Sequence, residues 1–356
     1  MSKIAIIIFI CFVLVIFQSF SRAAQNQTGE NQKPSRVEQR KPETKPDDKK
    51  KESQEIEEEK ELIELATDLV TVTFSVTDRQ NRYINDLKQE EIKVLEDDAP
   101  QEIFSFTRVS DLPLKFALLL DVSGSQEYTL PLERAAAARF FQKVMRPDRD
   151  TAAVMAFHRE VVLLQDLTSD LSKIAAALDR ARLELPEPGN EKTLATGAKS
   201  GGTALYSAVY AASDDLLARQ TGRRVIILLT DGYNFDNSVS IEEAIRRTWQ
   251  SEVIIYAIGI GDRFRFSGIN TEALRELCSS TGGRAYFPQD NNDLDQAFKQ
   301  IEDDLRQQYV VAYSPNSAGR SSSFRTIKVE VVGRKDLQTH HRRGYYSLQL
   351  QQSIRQ

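Results

Sequence analysis

The chain has 356 residues, 40% of them hydrophobic, and a formal net charge of -5. That is more length than one average domain needs and enough apolar content for a sizeable core. Neither the acidic balance nor any sustained Lys/Arg stripe fits a nucleic-acid binder.

The N-terminus reads as a secretory signal peptide over residues 1–23. Lys3 supplies a positive n-region, Ile4 to Phe17 an apolar h-region, and Ser21-Arg22-Ala23 a small-x-small cleavage site. The apolar run is shorter than the ~20 residues a spanning helix needs, so cleavage after Ala23 is expected rather than a retained anchor or stable membrane insertion. Cys11 lies in the h-region without the preceding small residue of a lipoprotein signal. Cys278 is then the one cysteine of the mature chain, which excludes an intramolecular disulfide. It reads as a small buried apolar residue rather than a nucleophile. Residues 24–66 are rich in Lys, Glu, Gln, Asp and Pro and too poor in aliphatics to offset chain entropy, which predicts a disordered charged linker. Ile56, Leu62, Ile63 and Leu65 allow a short helix near its end.

Order is expected from Leu69. Val70, Val72, Phe74 and Val76 alternate with Thr71, Thr73, Ser75 and Thr77, the period of a half-buried strand. Asp78 to Arg82 reads as a turn. Tyr83-Ile84, Ile92 to Val94 and Ile103 to Phe106 follow as short strands, with Asp97-Asp98-Ala99-Pro100 as another turn. So few strands leave exposed edges. At the other end, Tyr309 to Tyr313, Arg325 to Val332 and Arg343 to Ser347 are also strand-like, with a turn at Gly333 to Asp336. Residues 67–110 and 307–350 are therefore expected to form one small β-sandwich with residues 113–306 inserted in it.

Within the insert, strands and helices alternate. Phe116 to Leu120, Ala152 to Phe157, Glu160 to Leu164, Arg224 to Leu229, Val253 to Ile258 and Ala285 to Phe287 are strand candidates, several of them nearly continuous apolar runs. Leu130 to Met145, Ser169 to Leu183, Ala204 to Ala218, Ile241 to Gln250, Thr271 to Ser279 and Asn292 to Gln307 have helical spacing. This pattern predicts an α/β fold with a doubly wound, mostly parallel, six-stranded sheet. Phe157 to Glu160 is too short for a crossover, so Glu160 to Leu164 is expected as an antiparallel edge strand. Trp249 reads as a core anchor on its helix.

Three polar loops fall at one edge of this sheet, the carboxyl edge where open α/β sheets bind ligands. They are Asp121-Val122-Ser123-Gly124-Ser125, Gly201-Gly202-Thr203 and Thr230-Asp231-Gly232. Together they offer carboxylates from Asp121 and Asp231 and hydroxyls from Ser123, Ser125 and Thr203. An all-oxygen set of this kind suits a hard divalent cation such as Mg²⁺, or Mn²⁺ or Ca²⁺. Helix capping by Ser or Asp explains one such turn but not its recurrence at two other loops.

The set D-x-S-x-S, a Thr in a Gly-rich loop, and T-D-G after an apolar strand resembles the von Willebrand factor A domain with its metal-ion-dependent adhesion site. That resemblance implies that Ser123 and Ser125 bind the cation directly, that Asp121 and Asp231 act through water, and that Thr203 binds directly in the ligand-occupied arrangement. Ile258-Gly259-Ile260-Gly261 and Thr281-Gly282-Gly283 also look like family features. The flanks Val70 to Phe106 and Gln308 to Tyr346 resemble a secreted bacterial branch of the family. The implied function is a non-enzymatic exported binding or adhesion protein, periplasmic, cell-surface or secreted. With the carboxylates behind water the cation keeps positive charge toward solvent, and an Asp or Glu of a protein partner completes its shell.

A Mg²⁺-dependent hydrolase is the alternative from another class. The chain has only His158, His340 and His341, and the consecutive pair would point to opposite faces of a strand; a solvated turn or edge is the simpler reading for them. Asp121 stands where a G-x-S-x-G elbow needs Gly. Ala198 interrupts a P-loop before Lys199-Ser200, and Phe264 breaks a dinucleotide fingerprint begun at Gly259. A metal-free scaffold that displays its sandwich edges is the third reading.

Overall fold

The computed structural model describes residues 69–108, 112–183, 192–195, 202–261, 268–315 and 324–346. The expected signal peptide, the charged linker and the short helix at its end lie outside them, as do Gly201 and Lys199-Ser200.

The N-terminal flank forms β1 (Val70–Thr77), β2 (Ile92–Glu96), β3 (Ala99–Gln101) and β4 (Ile103–Arg108). The α/β part follows as β5 (Leu114–Asp121), α1 (Leu130–Val144), β6 (Thr151–Phe157), β7 (Val161–Thr168), α2 (Leu171–Arg180), β8 (Lys192–Ala195), α3 (Leu205–Ala211), β9 (Arg223–Thr230), α4 (Ile241–Gln250), β10 (Val253–Gly259), α5 (Thr271–Thr281), β11 (Ala285–Tyr286) and α6 (Asn291–Arg306). The C-terminal flank adds β12 (Tyr309–Tyr313), β13 (Phe324–Val331), β14 (Gln338–His341) and β15 (Gly344–Tyr346).

The central sheet runs β11-β10-β9-β5-β6-β7-β8. Strands β11, β10, β9, β5 and β6 are parallel; β7 runs antiparallel to β6, and β8, antiparallel to β7, returns to the common direction. Its strands are apolar on both faces because both are covered. Phe116, Leu118 and Leu120 of β5 pack with α1, α2 and α6, while Ala117 and Leu119 pack with α3, α4 and α5. This doubly wound core places the carboxyl ends of β5, β6 and β9 side by side.

The flanks interleave rather than stack. One sheet has the order β14-β1-β12-β4 and the other β15-β13-β2-β3, so each takes strands from both ends of the chain. Val72, Phe74, Val94, Tyr309, Val311, Tyr313 and Val329 fill the space between them. The strand that leads into the α/β part and the strand that leaves it are paired, with Arg108 opposite Tyr309. The two parts also touch elsewhere. Trp249 of α4 stacks on Phe324 with ring centroids 4.5 Å apart, and its indole N–H donates to Ser280 O at 2.7 Å. The expected core anchor is thus a partly buried joint between the two parts.

Several expectations need correction. The central sheet has seven strands, because β8 adds to the six expected; β7 is antiparallel as expected, but β8 takes the edge position beyond it. Tyr83 makes only an isolated bridge to Thr77 rather than a strand. Ala99 and Pro100 form part of β3, tolerated because β3 is an edge strand whose outer side needs no N–H donor. The helix from Ala204 divides into α3 and a π-helical stretch, Ala212–Leu217. His340 and His341 lie in β14, an edge strand as one form of the expectation had it, but half-buried rather than solvated. Burial of their rings pushes both below the ordinary imidazole range, His340 to about 4.

Candidate metal centre

Asp121 ends β5 and is fully buried. Its register partner on β6 is Phe157, while Leu120 faces Leu229 on β9, so Thr230 stands one step on, beside Asp121. Thr230 Oγ1 donates to Asp121 Oδ2 at 2.5 Å. The other oxygen, Oδ1, accepts from the Ser123 N–H at 3.0 Å, which folds the turn back over the strand end. Ser123 Oγ and Ser125 Oγ lie 2.9 Å apart. Next in sequence is a short 3₁₀ turn, Gly124–Gln126, and only then α1, whose N-cap position is Thr129. None of Asp121, Ser123 and Ser125 caps that helix, so capping does not account for them.

The second loop reaches the same edge through the backbone. The Ala204 N–H donates to His158 O at 2.6 Å, just past the end of β6, which sets Thr203 beside that strand end. The carbonyl of Thr203 accepts from Phe235 N–H at 2.8 Å and Asp236 N–H at 3.2 Å, locking it to the loop after β9. Gly202 is required there, since a Cβ at that position would lie 2.2 Å from Phe235 Cβ. In the third loop, Asp231 Oδ1 accepts from Tyr233 N–H at 3.1 Å. Ser123, Thr203 and Asp231 are buried, and Ser125 is half-buried.

Burial pushes the Asp121 carboxyl up to about 6; the Ser123 and Thr230 hydrogen bonds oppose the rise and the Asp231 charge adds to it. Two carboxylates that repel each other at one strand edge, next to a pair of hydroxyls, form a donor set that a hard cation would neutralise. The residues fit such an ion on this observation.

Sequence reasoning missed three contributors. Thr230 was only the first letter of T-D-G, yet it holds Asp121 in place. Asp236 receives the Ser207 hydroxyl at 2.7 Å and also that of Ser238, bracing the loop behind Thr203. Glu133 in the first turn of α1 is fully buried, and neither of its carboxylate oxygens has a hydrogen-bond partner. Burial pushes its carboxyl up to about 8, and the Asp121 and Asp231 charges add to the rise. The Thr129 hydroxyl tempers it, but donates its proton to Gln126 Oε1 at 2.8 Å. Its signal was readable: Glu133 sits three residues after Leu130 and four before Ala137, on the apolar stripe of that helix.

Fold and edge together define a class, a Rossmann-like α/β domain that gathers oxygen side chains at the carboxyl ends of its central strands. The von Willebrand factor type A domain model matches residues 116–300, just over half of the chain, and this chain belongs to that family. Among solved structures it is similar to BatB from Bacteroides thetaiotaomicron, at 17% identity and TM-score 0.43, covering 53% of this chain and 98% of that one. It is also similar to proximal thread matrix protein 1 from the mussel byssus with a zinc-occupied MIDAS motif, at 19% identity and TM-score 0.46, covering 59% of this chain and 50% of that one. A von Willebrand factor type A protein from Catenulispora acidiphila matches at 13% identity and TM-score 0.41, over 78% of this chain and 73% of that one. Among the described residues no helix is long and apolar enough to cross a membrane.

Proposed function

We propose that this chain is an exported, non-enzymatic binding protein that captures a protein partner through a divalent cation at Asp121, Ser123, Ser125, Thr203 and Asp231. The observation that carries the reading is the adjoining of the Thr230-tethered Asp121 carboxylate and the Ser123–Ser125 hydroxyl pair, 2.9 Å apart, at one strand end. A Mg²⁺ or Mn²⁺ ion bound there supplies a Lewis-acid position that a partner Asp or Glu oxygen completes. Ser123 and Ser125 present neutral oxygens, leaving net positive charge for the incoming carboxylate. Asp121 is held rigid by Thr230 and by the Ser123 backbone, so little ordering entropy is lost when the site fills. Thr203, fixed through its own carbonyl, keeps its hydroxyl free of that backbone duty.

The test is a pull-down of exported proteins with Mg²⁺ and again with EDTA, alongside calorimetric Mg²⁺ titration of the wild type and a Ser123→Ala, Asp231→Ala double variant. Capture and heat of binding are both expected to vanish in EDTA and in the variant. Capture that persists unchanged in either condition sinks the reading. Mg²⁺-dependent phosphatase or esterase turnover that is lost in Asp121→Ala would instead favour a hydrolase.

A further inference from the structure

We propose that the cleft beside the candidate metal centre binds a lysine or arginine side chain of the protein partner, with Glu133 as its acidic floor. The cleft holds about 420 Å³, and its walls include Tyr128, Leu132, Ile260, Ile269 and Leu294. At the mouth, Tyr128 is 63% and Leu132 46% exposed, whereas Glu133 beneath them is 0% exposed. An apolar rim over a buried carboxylate is an unusual pairing, and its two halves call for different parts of one ligand.

Consider first what Glu133 does for the fold alone. An acid in the first turn of a helix is weakly stabilised by the helix dipole. An exposed acid at that turn would receive the same benefit. Burying a carboxylate without a partner costs far more than that, so in the empty cleft the group holds its proton. The desolvation cost outweighs the dipole benefit, and both Glu133 oxygens remain without hydrogen bonds. A buried acid of this kind is accounted for by a donor that arrives from outside.

The walls then choose among donors. Asp290 also lines the cleft, and no Lys, Arg or His does among the described residues. A purely apolar group would leave Glu133 as it is, and an anionic one would set a like charge beside Asp290. A Lys or Arg side chain satisfies both requirements, because its methylene stem packs along the aliphatic walls while the ammonium or guanidinium meets the carboxylate. Partner recognition is then bipartite, with an acidic residue at the strand edge and a basic one in the cleft. This takes from the adhesion reading only that the ligand is a protein.

The experiment uses the full exported chain in excess EDTA, so that its outcome is independent of the metal. Nα-acetyl-arginine methylamide, Nα-acetyl-lysine methylamide and the neutral Nα-acetyl-norleucine methylamide are titrated against Ile and Leu methyl NMR signals. The two cationic compounds should shift Leu132, Ile260, Ile269 and Leu294 saturably, with norleucine weaker by about tenfold or more. Glu133→Gln should lose that preference and Glu133→Asp keep it, with the same spectra reporting that both variants are folded. Norleucine binding as well as lysine, an undiminished preference in Glu133→Gln, or no saturable shift at those methyls overturns the proposal. Failure here leaves Mg²⁺-dependent capture standing, and loss of that capture leaves a positive result here standing.

Discussion

Thr230 Oγ1 donates to Asp121 Oδ2 across 2.5 Å, so one hydroxyl ties the ends of β9 and β5 together at the candidate metal centre. Val is nearly isosteric with Thr but cannot donate. Thr230→Val should therefore cost about 1–3 kcal/mol of stability, the penalty for leaving a buried acceptor short of a donor. Mg²⁺ affinity should fall with it, because Asp121 loses its orientation. Urea unfolding and calorimetry on the one variant check both effects, and unchanged affinity would show that Thr230 does not position Asp121.

Gly202 allows a sharper test of how Thr203 is placed. A methyl group at that position meets Phe235 Cβ at 2.2 Å, well inside contact distance. Gly202→Ala should displace the loop that carries Thr203 and lower Mg²⁺ affinity. Phe235→Ala keeps the offending Cβ and should not rescue it, whereas Phe235→Gly should. Titration of the two double variants separates this steric account from a general loosening of the loop.

Glu133 predicts an unusual pH dependence. Its folded carboxyl titrates near 8, above the ordinary 4.5. Between those values the folded chain holds a proton that the unfolded chain has released. Stability contributed through this group is full below the lower value and is lost as pH rises through the upper one. Glu133→Gln should raise stability most above pH ~8 and hardly at all near pH ~4. Denaturant midpoints at both ends of the range test this; an equal gain at both would mean that Glu133 carries no such proton.

The sandwich has its own buried charge. Arg325 Nη1 meets Glu96 Oε1 at 2.6 Å, and the hydroxyls of Tyr313 and Tyr345 both donate to Glu96 Oε2 at 2.8 Å. Arg325→Met should destabilise by roughly 3–5 kcal/mol, since it strands a buried carboxylate. Adding Glu96→Gln should recover much of that loss. A double-mutant cycle by thermal unfolding reads the coupling, and simple additivity would show that the pair is not a unit.

Much of this architecture was legible in the residues. Alternation over Val70 to Thr77 and the apolar runs at Phe116, Val225 and Ile255 reflect local physics, because burial on one face or on both imposes its period directly on the sequence. Asp121, Ser123, Thr203 and Asp231 were legible because each stands at the junction of an apolar run with a polar loop. What escaped depends on distant contacts. Lys192 to Ala195 is too short and too polar to announce a strand, and pairs only because β7 presents an open edge. Pro100 reads as a turn until β2 offers it a partner on one side alone. The π-helical stretch at Ala212 to Leu217 continues an unbroken helical period, and its register change is not written in that period. Glu133 stands on the apolar stripe of α1 with Leu130 and Ala137, so its burial could have been read from the helical period, but its lack of a hydrogen-bond partner could not.

Arg108 and Tyr309 face each other in adjacent strands, where the chain enters and leaves its α/β part. The paired strands β4 and β12 therefore act as a closed clasp at the mouth of the insert. The two parts are also tied where the chain turns into β15, since Arg343 N–H donates to Ser280 O at 3.0 Å and its guanidinium to Glu276 Oε1 at 2.6 Å. A swing of one part against the other would have to break these contacts and the Trp249–Phe324 stack together, so a load on the Asp121 edge is passed to the sandwich at several points at once.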